Sequence, residues 1–510
     1  MATMPSPNSG IIEHPDRFFI DGGWVKPSSD ARFEVITPAT EEPYLYVAEA
    51  RTADMERAVA AAREAFDRGP WPSLSHAERA GYLTAMGARL KERVADLSDI
   101  WTNEMGVLRS AGERLITSAT DALFYYASLA ETFAFEERHT PAVGNVGLLV
   151  REPVGVVAAI IPWNAPYKLL LYKIAPALLA GCTVVLKASP EAPASAYVVA
   201  EIAEAVGLPK GVLNVLTADR QVSEQLVRHP GIDKVTFTGS SAAGRKIASI
   251  CGERIARCTL ELGGKSAAVV FDDYDVASVA RTFSQSTPMM TGQVCASLTR
   301  LIVPRARHDA LVEAMVAEFS ALTVGDPFSP ATNMGPLALS RQRDIVERYI
   351  AMGSEEGATV ATGGRRPASL NRGYFIEPTV FANVDNAMTI AREEIFGPVV
   401  NVIPAESEAQ ALEIANDSPF GLNAAIFTND ADKAYYAARR LRSGTVGQNG
   451  MRTDFTIAFG GFKQSGIGRE GGVEGLMPFL ETKTIVLDAE PATRRRHPLP
   501  DGHLGDAAGA

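Results

Sequence analysis

The sequence predicts an α/β protein built from two doubly wound layers, in which helices cover both faces of parallel strands. Two series of short, continuously apolar segments support this fold class, one over residues 154–237 and one that begins near residue 266. In both series the apolar segments alternate with stretches that repeat apolar residues at three- and four-residue spacing, which is typical of helices. Strands that are apolar throughout are typical of parallel sheets buried on both faces. Right-handed crossovers give the doubly wound arrangement, and two separate series indicate two sheets with two cores.

Before the first series, the sequence predicts short extended pieces followed by helices. Residues 1 to about 50 are rich in Pro, Gly and Asp and contain short extended pieces such as residues 18–20. Apolar residues at helical spacing follow over residues 55–68, 76–97 and 112–129, which predicts three helices.

The two α/β series are predicted element by element. The first has strands at residues 154–161, 183–186, 212–216 and 234–237, with helices at residues 174–180, 194–206 and 221–228. The second has strands at residues 267–271, 300–304, 399–403 and 424–427, with helices at residues 276–285 and 309–322. Apolar periodicity is lost after about residue 487, which predicts a flexible tail over residues 491–510.

Composition and charge exclude several classes of protein. The 510 residues carry a formal net charge of -11, whereas nucleic-acid binders usually show a basic domain or stripe, so no nucleic-acid partner is predicted. Four cysteines without a CxxC pair and seven histidines argue against a metal site and suit a reducing compartment. The N-terminus lacks a signal-peptide pattern, and the longest apolar stretch, residues 154–162, is far short of the ~20 residues of a membrane span. We therefore expect a cytoplasmic protein without a membrane partner.

Three residues in turns are candidates for catalysis, and each has a structural alternative. Cys295 lies in GQVCAS (residues 292–297), where an accessible thiolate is a nucleophile, although a buried Cys is most often an inert side chain. Glu261 opens ELGGK (residues 261–265) and is either a general base or a capping or ion-paired carboxylate. Asn164 follows a predicted strand, and its amide either stabilises an oxyanion or forms a local turn.

A strand-to-helix turn is a candidate phosphate site. Gly239 and Ser240 follow the strand predicted at residues 234–237. Glycine lets the backbone approach a ligand, and the N–H groups at the start of a helix attract a phosphate. The segment is not a GxGxxG fingerprint, so a plain turn is the alternative.

Six motifs in order make the chain resemble the aldehyde dehydrogenase superfamily, whose members oxidise aldehydes to acids with NAD or NADP. The resemblance covers roughly residues 18–487, and its most specific feature is the 34-residue spacing between Glu261 and Cys295. The motifs are PWNAP (162–166), FTGS (237–240), ELGGK (261–265), GQVCAS (292–297), EEIFGPV (393–399) and FGGFKQSGIGREGG (459–472).

The resemblance implies a mechanism with a covalent intermediate. Cys295 attacks the aldehyde carbon as a thiolate, while the Asn164 side chain and the Cys295 backbone N–H hold the oxyanion. Hydride then passes to the nicotinamide and leaves a thioester, which water activated by Glu261 hydrolyses. Covalent catalysis thereby divides one difficult step into easier ones.

The resemblance also implies a nicotinamide cofactor, with NAD predicted and NADP as the alternative. NADP stays open because Pro190 stands where many NAD-using relatives carry a Glu that binds the adenosine ribose, and Glu191 follows it. The residues implied to bind the cofactor are Lys187 for the adenosine ribose, Gly239, Ser240 and Trp163 near the pyrophosphate, and Glu394 and Phe396 for the nicotinamide ribose and ring.

The positions that correspond to the family's aldehyde tunnel are mostly apolar or aromatic, which favours an apolar or aromatic aldehyde as the partner. These positions are Ala165, Leu169, Tyr172, Met289, Met290, Val294 and Phe455. Lys168 and Arg452 can instead bind a carboxylate, which leaves a semialdehyde as the alternative. A solvated rim is the expected place for both side chains.

The resemblance implies a division into a Rossmann-like cofactor domain, a catalytic domain and a small β oligomerisation extension. The predicted bounds are residues 1–130 and 150–263 for the cofactor domain, residues 264–460 for the catalytic domain, and residues 131–149 and 478–490 for the extension. Pairing of edge strands between subunits satisfies their free backbone groups, so we expect a homo-oligomer, either a dimer or a tetramer.

Two other function classes compete with this prediction. In a CoA-acylating relative, a thiol instead of water resolves the thioester, and such relatives generally lack the residue that corresponds to Glu261. A binding protein that kept the fold without catalysis is the other alternative. The presence of Cys295, Asn164 and Glu261 together favours a hydrolytic enzyme over both.

Overall fold

The structure, a computed structural model, describes residue 10 and residues 12–491. Apart from Pro491, the predicted flexible tail of residues 491–510 lies outside the described residues. In the described part of the chain the strands are β1 (Phe18–Ile20), β2 (Gly23–Val25), β3 (Arg32–Thr37), β4 (Glu42–Ala48), β5 (Glu136–His139), β6 (Val146–Pro153), β7 (Val156–Ile160), β8 (Thr183–Ala188), β9 (Leu213–Thr217), β10 (Lys234–Thr238), β11 (Arg257–Glu261), β12 (Ser266–Val270), β13 (Leu298–Pro304), β14 (Thr359–Thr362), β15 (Thr379–Ala382), β16 (Val399–Ala405), β17 (Asn423–Phe427), β18 (Thr445–Gln448), β19 (Gly466–Ile467) and β20 (Leu480–Leu487).

The helices connect these strands and cover their faces. They are α1 (Thr52–Asp67), α2 (His76–Glu92), α3 (Val94–Met105), α4 (Arg109–Thr132), α5 (Pro166–Ala180), α6 (Ala194–Ala205), α7 (Arg220–Arg228), α8 (Ser241–Arg254), α9 (Val276–Ser286), α10 (His308–Ser320), α11 (Ser340–Glu355), α12 (Thr389–Arg392), α13 (Glu408–Asn416), α14 (Ala431–Arg440) and α15 (Gly472–Leu476).

The first series forms, within the described residues, an eight-stranded sheet in the order β19-β11-β10-β7-β8-β9-β1-β2. Strands β11, β10, β7, β8 and β9 are parallel neighbours, and antiparallel strands close both edges. Alternate residues of β7 enter different cores, because Val157 and Ala159 pack with α5 and α6 whereas Val156 and Ala158 pack with α1. The predicted parallel sheet with two covered faces is confirmed.

The second series forms a sheet of seven strands among the described residues, in the order β14-β15-β16-β13-β12-β17-β18. All neighbours are parallel except β14 at one edge. Ala267 and Val269 of β12 pack into one core, and Ala268 and Val270 pack into another with α9 and α10. The two doubly wound layers predicted from the sequence are therefore both present.

A small antiparallel extension lies outside the two large sheets. Strand β6 pairs along its whole length with β20, and β5 pairs with the other edge of β6. Val146, Leu148 and Val150 form a small apolar cluster on one face, with Ile485 and Leu487 of β20 against it. The strand segments predicted within residues 131–149 and 478–490 are thus partners in one sheet, although β6 continues to Pro153.

Two predicted helix boundaries are wrong. The helix predicted over residues 76–97 is two helices, because the backbone of Arg93 (φ -105°, ψ 13°) ends α2 and begins α3. The helix predicted from residue 174 begins instead at Pro166. Proline has a suitable φ for the first turn of a helix and lacks only an N–H that is unpaired there anyway, so Pro166 starts α5 instead of extending the break.

Candidate active site

The candidate catalytic residues lie where parallel strands of the first sheet end. Strand β10 pairs with both β7 and β11, and its last residue, Thr238, lies beside Glu261. The chain leaves these strand ends through the segments that contain Asn164 and Gly239. The carboxyl edge of a parallel α/β sheet is where such folds bind their ligands.

Cys295 follows a turn with unusual backbone angles. Met290, Thr291 and Gly292 have φ values of 51°, 53° and 71°, a region that residues other than glycine rarely adopt. The Thr291 hydroxyl donates to the Pro336 carbonyl oxygen at 3.0 Å, which holds the turn. A backbone held in such a region is often found at functional sites.

The surroundings of Cys295 disfavour its thiolate in this state. Burial raises the pKa of Cys295 to about 12, and the nearby Glu394 and Glu261 carboxyl groups contribute to the increase. The ammonium of Lys168 acts in the opposite direction. The thiol is therefore mostly protonated at neutral pH in the described structure.

Asn164 and Cys295 line the same cavity, as predicted. The Asn164 Nδ2 donates to the Gln293 carbonyl oxygen at 2.9 Å, and the Asn164 backbone carbonyl oxygen accepts from Trp101 Nε1 at 2.9 Å. A side-chain amide has two N–H donors. One of them fixes the side chain, and the other has no acceptor among the described residues.

Glu261, the last residue of β11, is 2% exposed, and neither of its carboxyl oxygens has a hydrogen-bond partner among the described residues. Gly460 lies so close that an added Cβ would be 2.7 Å from Oε1. Burial raises the pKa of Glu261 well above its usual range, and Glu470 adds to this increase, whereas Lys173 opposes it. Such a carboxyl group is suited to act as a proton acceptor.

Sequence reasoning missed an ion pair that lies close to Glu261. The Lys173 ammonium is fully buried, contacts the Glu470 carboxylate, and donates to the Thr238 hydroxyl at 2.8 Å. The signal was present in the sequence, because a lysine inside an otherwise apolar helical stretch needs a buried partner. Nothing in the sequence identified that partner as Glu470.

A second cavity, of about 870 Å³, is the candidate cofactor cleft. Trp163 and Lys187, which the resemblance assigns to the cofactor, line this cleft, together with α8 residues between 243 and 250. The Lys187 side chain is buried, and burial lowers its pKa to about 8. Gly239 and Ser240 are not among the lining residues, but Ser240 caps α8, with its hydroxyl accepting from the Ala243 N–H at 3.3 Å.

Glu394 and Phe396 approach the cleft from the second sheet. The Gly264 N–H donates to Glu394 Oε1 at 3.1 Å, and burial raises the pKa of Glu394 to about 7. Phe396 has a φ of 57°, and its ring meets the edge of the Trp163 ring with 5.5 Å between centroids. The structure thus brings together predicted cofactor residues that are more than 200 positions apart in sequence.

Pro190 and Glu191 line the same cleft, near the predicted ribose-binding Lys187. The Glu191 carboxylate contacts the Ser189 hydroxyl and the Arg341 guanidinium. Lys187 has no ion-pair partner within 4 Å in the part of the chain that the structure describes. The carboxylate nearest the predicted ribose site is therefore neutralised by an arginine.

The cavity at Cys295 has about 1030 Å³ of space and a mainly apolar wall. Of the predicted tunnel residues, Ala165, Leu169, Met289, Met290, Val294 and Phe455 line it. Sequence reasoning missed a wall from helices α3 and α4, far earlier in the chain, that comprises Trp101, Leu115, Ile116, Ser118 and Ala119.

One expectation for this cavity needs correction. Tyr172 is not among the lining residues and instead packs on the Phe455 ring, with 4.4 Å between centroids. Lys168 lines the cavity and is partly exposed, whereas Arg452 is exposed. Because α5 begins at Pro166, Lys168 lies in the first turn of the helix.

Comparison with known proteins identifies the family. The profile described as "Aldehyde dehydrogenase family" matches residues 24–485. The chain is 44% identical over 477 residues to geranial dehydrogenase of Castellaniella defragrans, covering 93% of this chain and 99% of that protein. It is 40% identical over 474 residues to 3-succinoylsemialdehyde-pyridine dehydrogenase of a Pseudomonas species, covering 92% and 98%.

Solved structures show the same fold. The Mycobacterium tuberculosis aldehyde dehydrogenase complexed with NAD+ has a TM-score of 0.90 at 45% identity, over 92% of this chain and 98% of that one. A cysteine-to-alanine mutant of Pseudomonas syringae aldehyde dehydrogenase C, complexed with NAD+ and octanal, has a TM-score of 0.90 at 37% identity, over 94% and 99%. The chain belongs to the aldehyde dehydrogenase family. It is therefore an oxidoreductase that acts on aldehydes, as the motifs predicted.

Among the described residues, no group of three or more His, Cys, Asp or Glu side chains is arranged to hold a metal ion. Nor does the described chain contain a helix that is long and apolar enough to cross a membrane.

Proposed function

We propose that this protein oxidises an aldehyde with an apolar or aromatic body to the carboxylic acid, with NAD as the oxidant and water as the second substrate. The observation that carries the proposal is that Cys295 and Asn164 line one cavity while Glu261, with both carboxyl oxygens unpaired, lies beside Thr238 of its wall. A nucleophile, an oxyanion donor and a base are thereby combined at one site.

The residues of the second cavity fit NAD, the cofactor present in solved relatives. Lys187 presents an ammonium there without an ion-pair partner among the described residues. An added Cβ at Gly263 would overlap Glu394 Oε2. The glycine therefore leaves space for this carboxyl group to accept hydrogen bonds from the ribose hydroxyl groups. Bound NAD supplies the hydride acceptor.

Cys295 and Asn164 carry out the first step. The Cys295 thiol first loses its proton to solvent water. The resulting Sγ thiolate forms a bond to the aldehyde carbon, and the electron pair of the C=O bond moves to the oxygen, which becomes an oxyanion. The free N–H of the Asn164 amide and the Cys295 backbone N–H stabilise this charge. Loss of one such donor typically costs on the order of 3 kcal/mol of barrier, so Asn164→Ala should lower the turnover number by roughly a hundredfold.

Glu261 carries out the last step. After hydride leaves the substrate carbon, the substrate acyl group is joined to Cys295 as a thioester. Glu261 takes a proton from water, the hydroxide oxygen attacks the thioester carbon, and the sulfur leaves as a thiolate. The unpaired carboxyl oxygens and the raised pKa of Glu261 are suited to this role.

The test is NAD reduction, followed at the absorbance band of reduced nicotinamide, with a panel of aliphatic, aromatic and terpenoid aldehydes and semialdehydes. Reduction without CoA that disappears in Cys295→Ala is the expected result. Reduction only after CoA is added would assign the protein to the acylating relatives. No reduction with any aldehyde, with or without CoA, would contradict the proposal.

A further inference from the structure

Lys168 lies in the wall of the cavity that contains Cys295. It follows Asn164 by four residues, and its Nζ lies over the Phe455 ring, 4.0 Å from the centroid, with the Tyr172 centroid at 5.9 Å. Asn164 lies just before α5 and Lys168 lies in its first turn, so the oxyanion donor and an ammonium both face the same cavity.

The Lys168 ammonium has no carboxylate within 4 Å and no hydrogen-bond acceptor in the described part of the chain. The other polar groups of the cavity wall are the Asn164 amide, the Cys295 thiol and a few hydroxyls, so Lys168 is the cation of this wall. Burial lowers the pKa of Lys168, while Cys295 and Glu470 act in the opposite direction.

The Lys168 side chain is partly exposed, but a cation against an apolar wall still loses part of its hydration. Partial removal of an ammonium from water has a desolvation cost. The face of the Phe455 ring offsets part of that cost through a cation–π interaction. A hydrocarbon side chain would line the cavity without any such cost, so an anionic group of the ligand is the partner that the ammonium lacks.

We propose that Lys168 is a specificity-determining residue that binds a carboxylate of the substrate. The preferred substrate is then an aldehyde whose apolar or aromatic body also carries a carboxylate. The carboxylate pairs with Lys168, and the aldehyde carbon lies at Cys295. This inference rests on the proposed function, because it names the substrate class of the same site.

The kinetic test compares matched aldehydes that differ in one end group. Suitable pairs are succinic semialdehyde with pentanal, adipic semialdehyde with heptanal, and 4-carboxybenzaldehyde with 4-methylbenzaldehyde. In the pair whose length fits the cavity best, the expected result is a kcat/KM at least tenfold higher for the carboxylate-bearing aldehyde than for its uncharged partner. Lys168→Met, which keeps the length of the side chain, should abolish this preference, and Lys168→Arg should retain part of it. Lys210→Met removes an exposed lysine that precedes β9 and is the matched control, for which no change is expected.

An alkylation test reports on the same charge without NAD or turnover. Iodoacetate and iodoacetamide both attack the Cys295 thiolate, so the ratio of their rates cancels any change in the pKa of the thiol. The ratio of the iodoacetate rate to the iodoacetamide rate should fall at least fivefold in Lys168→Met and stay unchanged in Lys210→Met. Equal melting temperatures of the two variants and the wild type would confirm that folding is unaffected.

The outcomes separate the two proposals. Equal kcat/KM within every pair, together with an alkylation ratio that does not depend on Lys168, would overturn the carboxylate site while leaving the aldehyde oxidation intact. No NAD reduction with any aldehyde, but an alkylation ratio that depends on Lys168, would overturn the proposed reaction while supporting an anion site in this cavity.

Discussion

At the residue scale, the charges around Cys295 predict its reactivity. Burial and the Glu394 and Glu261 carboxyl groups raise the pKa of the thiol to about 12. The thiolate fraction of such a group rises about tenfold per pH unit until the pH reaches the pKa. We therefore expect the alkylation rate of Cys295 by iodoacetamide to increase continuously from pH 7 to pH 10 in the cofactor-free enzyme.

Peptide mapping by mass spectrometry measures this rate at Cys295 alone. The separate measurement is needed because hydrogen bonding with Cys251 lowers the pKa of Cys258, which favours alkylation of that thiol as well. A rate at Cys295 that levels off below pH 8 would contradict the expected environment.

If Glu261 is the base for hydrolysis, a substitution that removes its carboxylate should stop the reaction at the thioester. Glu261→Gln keeps the shape of the side chain but cannot accept a proton from water, so the thioester should accumulate. A single-turnover burst of NADH followed by a steady-state rate reduced at least a hundredfold is the expected result, measured by stopped-flow absorbance. An equal loss of burst and steady state would contradict the assignment of Glu261 to hydrolysis.

The pH dependence of hydrolysis follows from the same residue. The pKa of Glu261 is raised, so the carboxylate that accepts the proton is lost as the pH falls through this raised value. The steady-state rate of the wild type should therefore fall with decreasing pH at a pH above the usual range of a glutamate, and Glu261→Gln should lack this dependence.

The proline at position 190 bears on whether NADP can bind in place of NAD. The neighbouring Glu191 carboxylate is neutralised by Arg341. The same cleft is lined by Lys187, Arg220 and Glu224, and the Glu224 carboxylate is paired with Arg228 and Lys246. A 2′-phosphate therefore meets unneutralised cations there. We expect the cleft to bind NADP in addition to NAD. Pro190→Glu should weaken NADP binding at least tenfold relative to NAD, as measured by quenching of protein fluorescence. Pro190→Gln, without the charge, should not, and an unchanged ratio in Pro190→Glu would refute the expectation.

At the scale of elements, the turn between β11 and β12 connects the two sheets and brings their site residues together. Gly263 lies in this turn, and an added Cβ would overlap the Glu394 carboxyl group. Gly263→Ala should therefore displace Glu394 and raise the Kd for NAD at least tenfold, as measured by titration. Gly252→Ala, in α8 with open space around it, is the control, and equal NAD affinity of the two variants would contradict this role.

At the scale of the whole molecule, the extension of β5, β6 and β20 predicts association between subunits. Among the described residues, strand β20 pairs on one side only, and the backbone groups of its other edge are available there for pairing with a second chain. We expect light scattering at micromolar concentration to give the mass of two or four chains of 54.4 kDa. The mass of a single chain would contradict this expectation. The division between a cofactor domain and a catalytic domain at residue 264 stays a prediction.

Most of the parallel core could be predicted, because its strands are apolar on both faces. That pattern depends only on burial, so β7, β8, β12 and β16 were located from their own residues. The elements that escaped prediction, such as α11 and β14, are partly exposed and show weaker patterns. The break at Arg93 also escaped, because the apolar spacing continues across it.

The family, the two parallel layers and the candidates Cys295, Glu261 and Asn164 could all be read from the amino-acid order, because motifs and apolar runs are local properties of the chain. Which residues meet depends on the folded molecule. Folding places α3 and α4 in the cavity wall, pairs Lys173 with Glu470 across 297 positions, and turns Lys168 toward Cys295. Local patterns report how deeply a residue is buried, but the partner of a buried charge is set by the packing of distant elements.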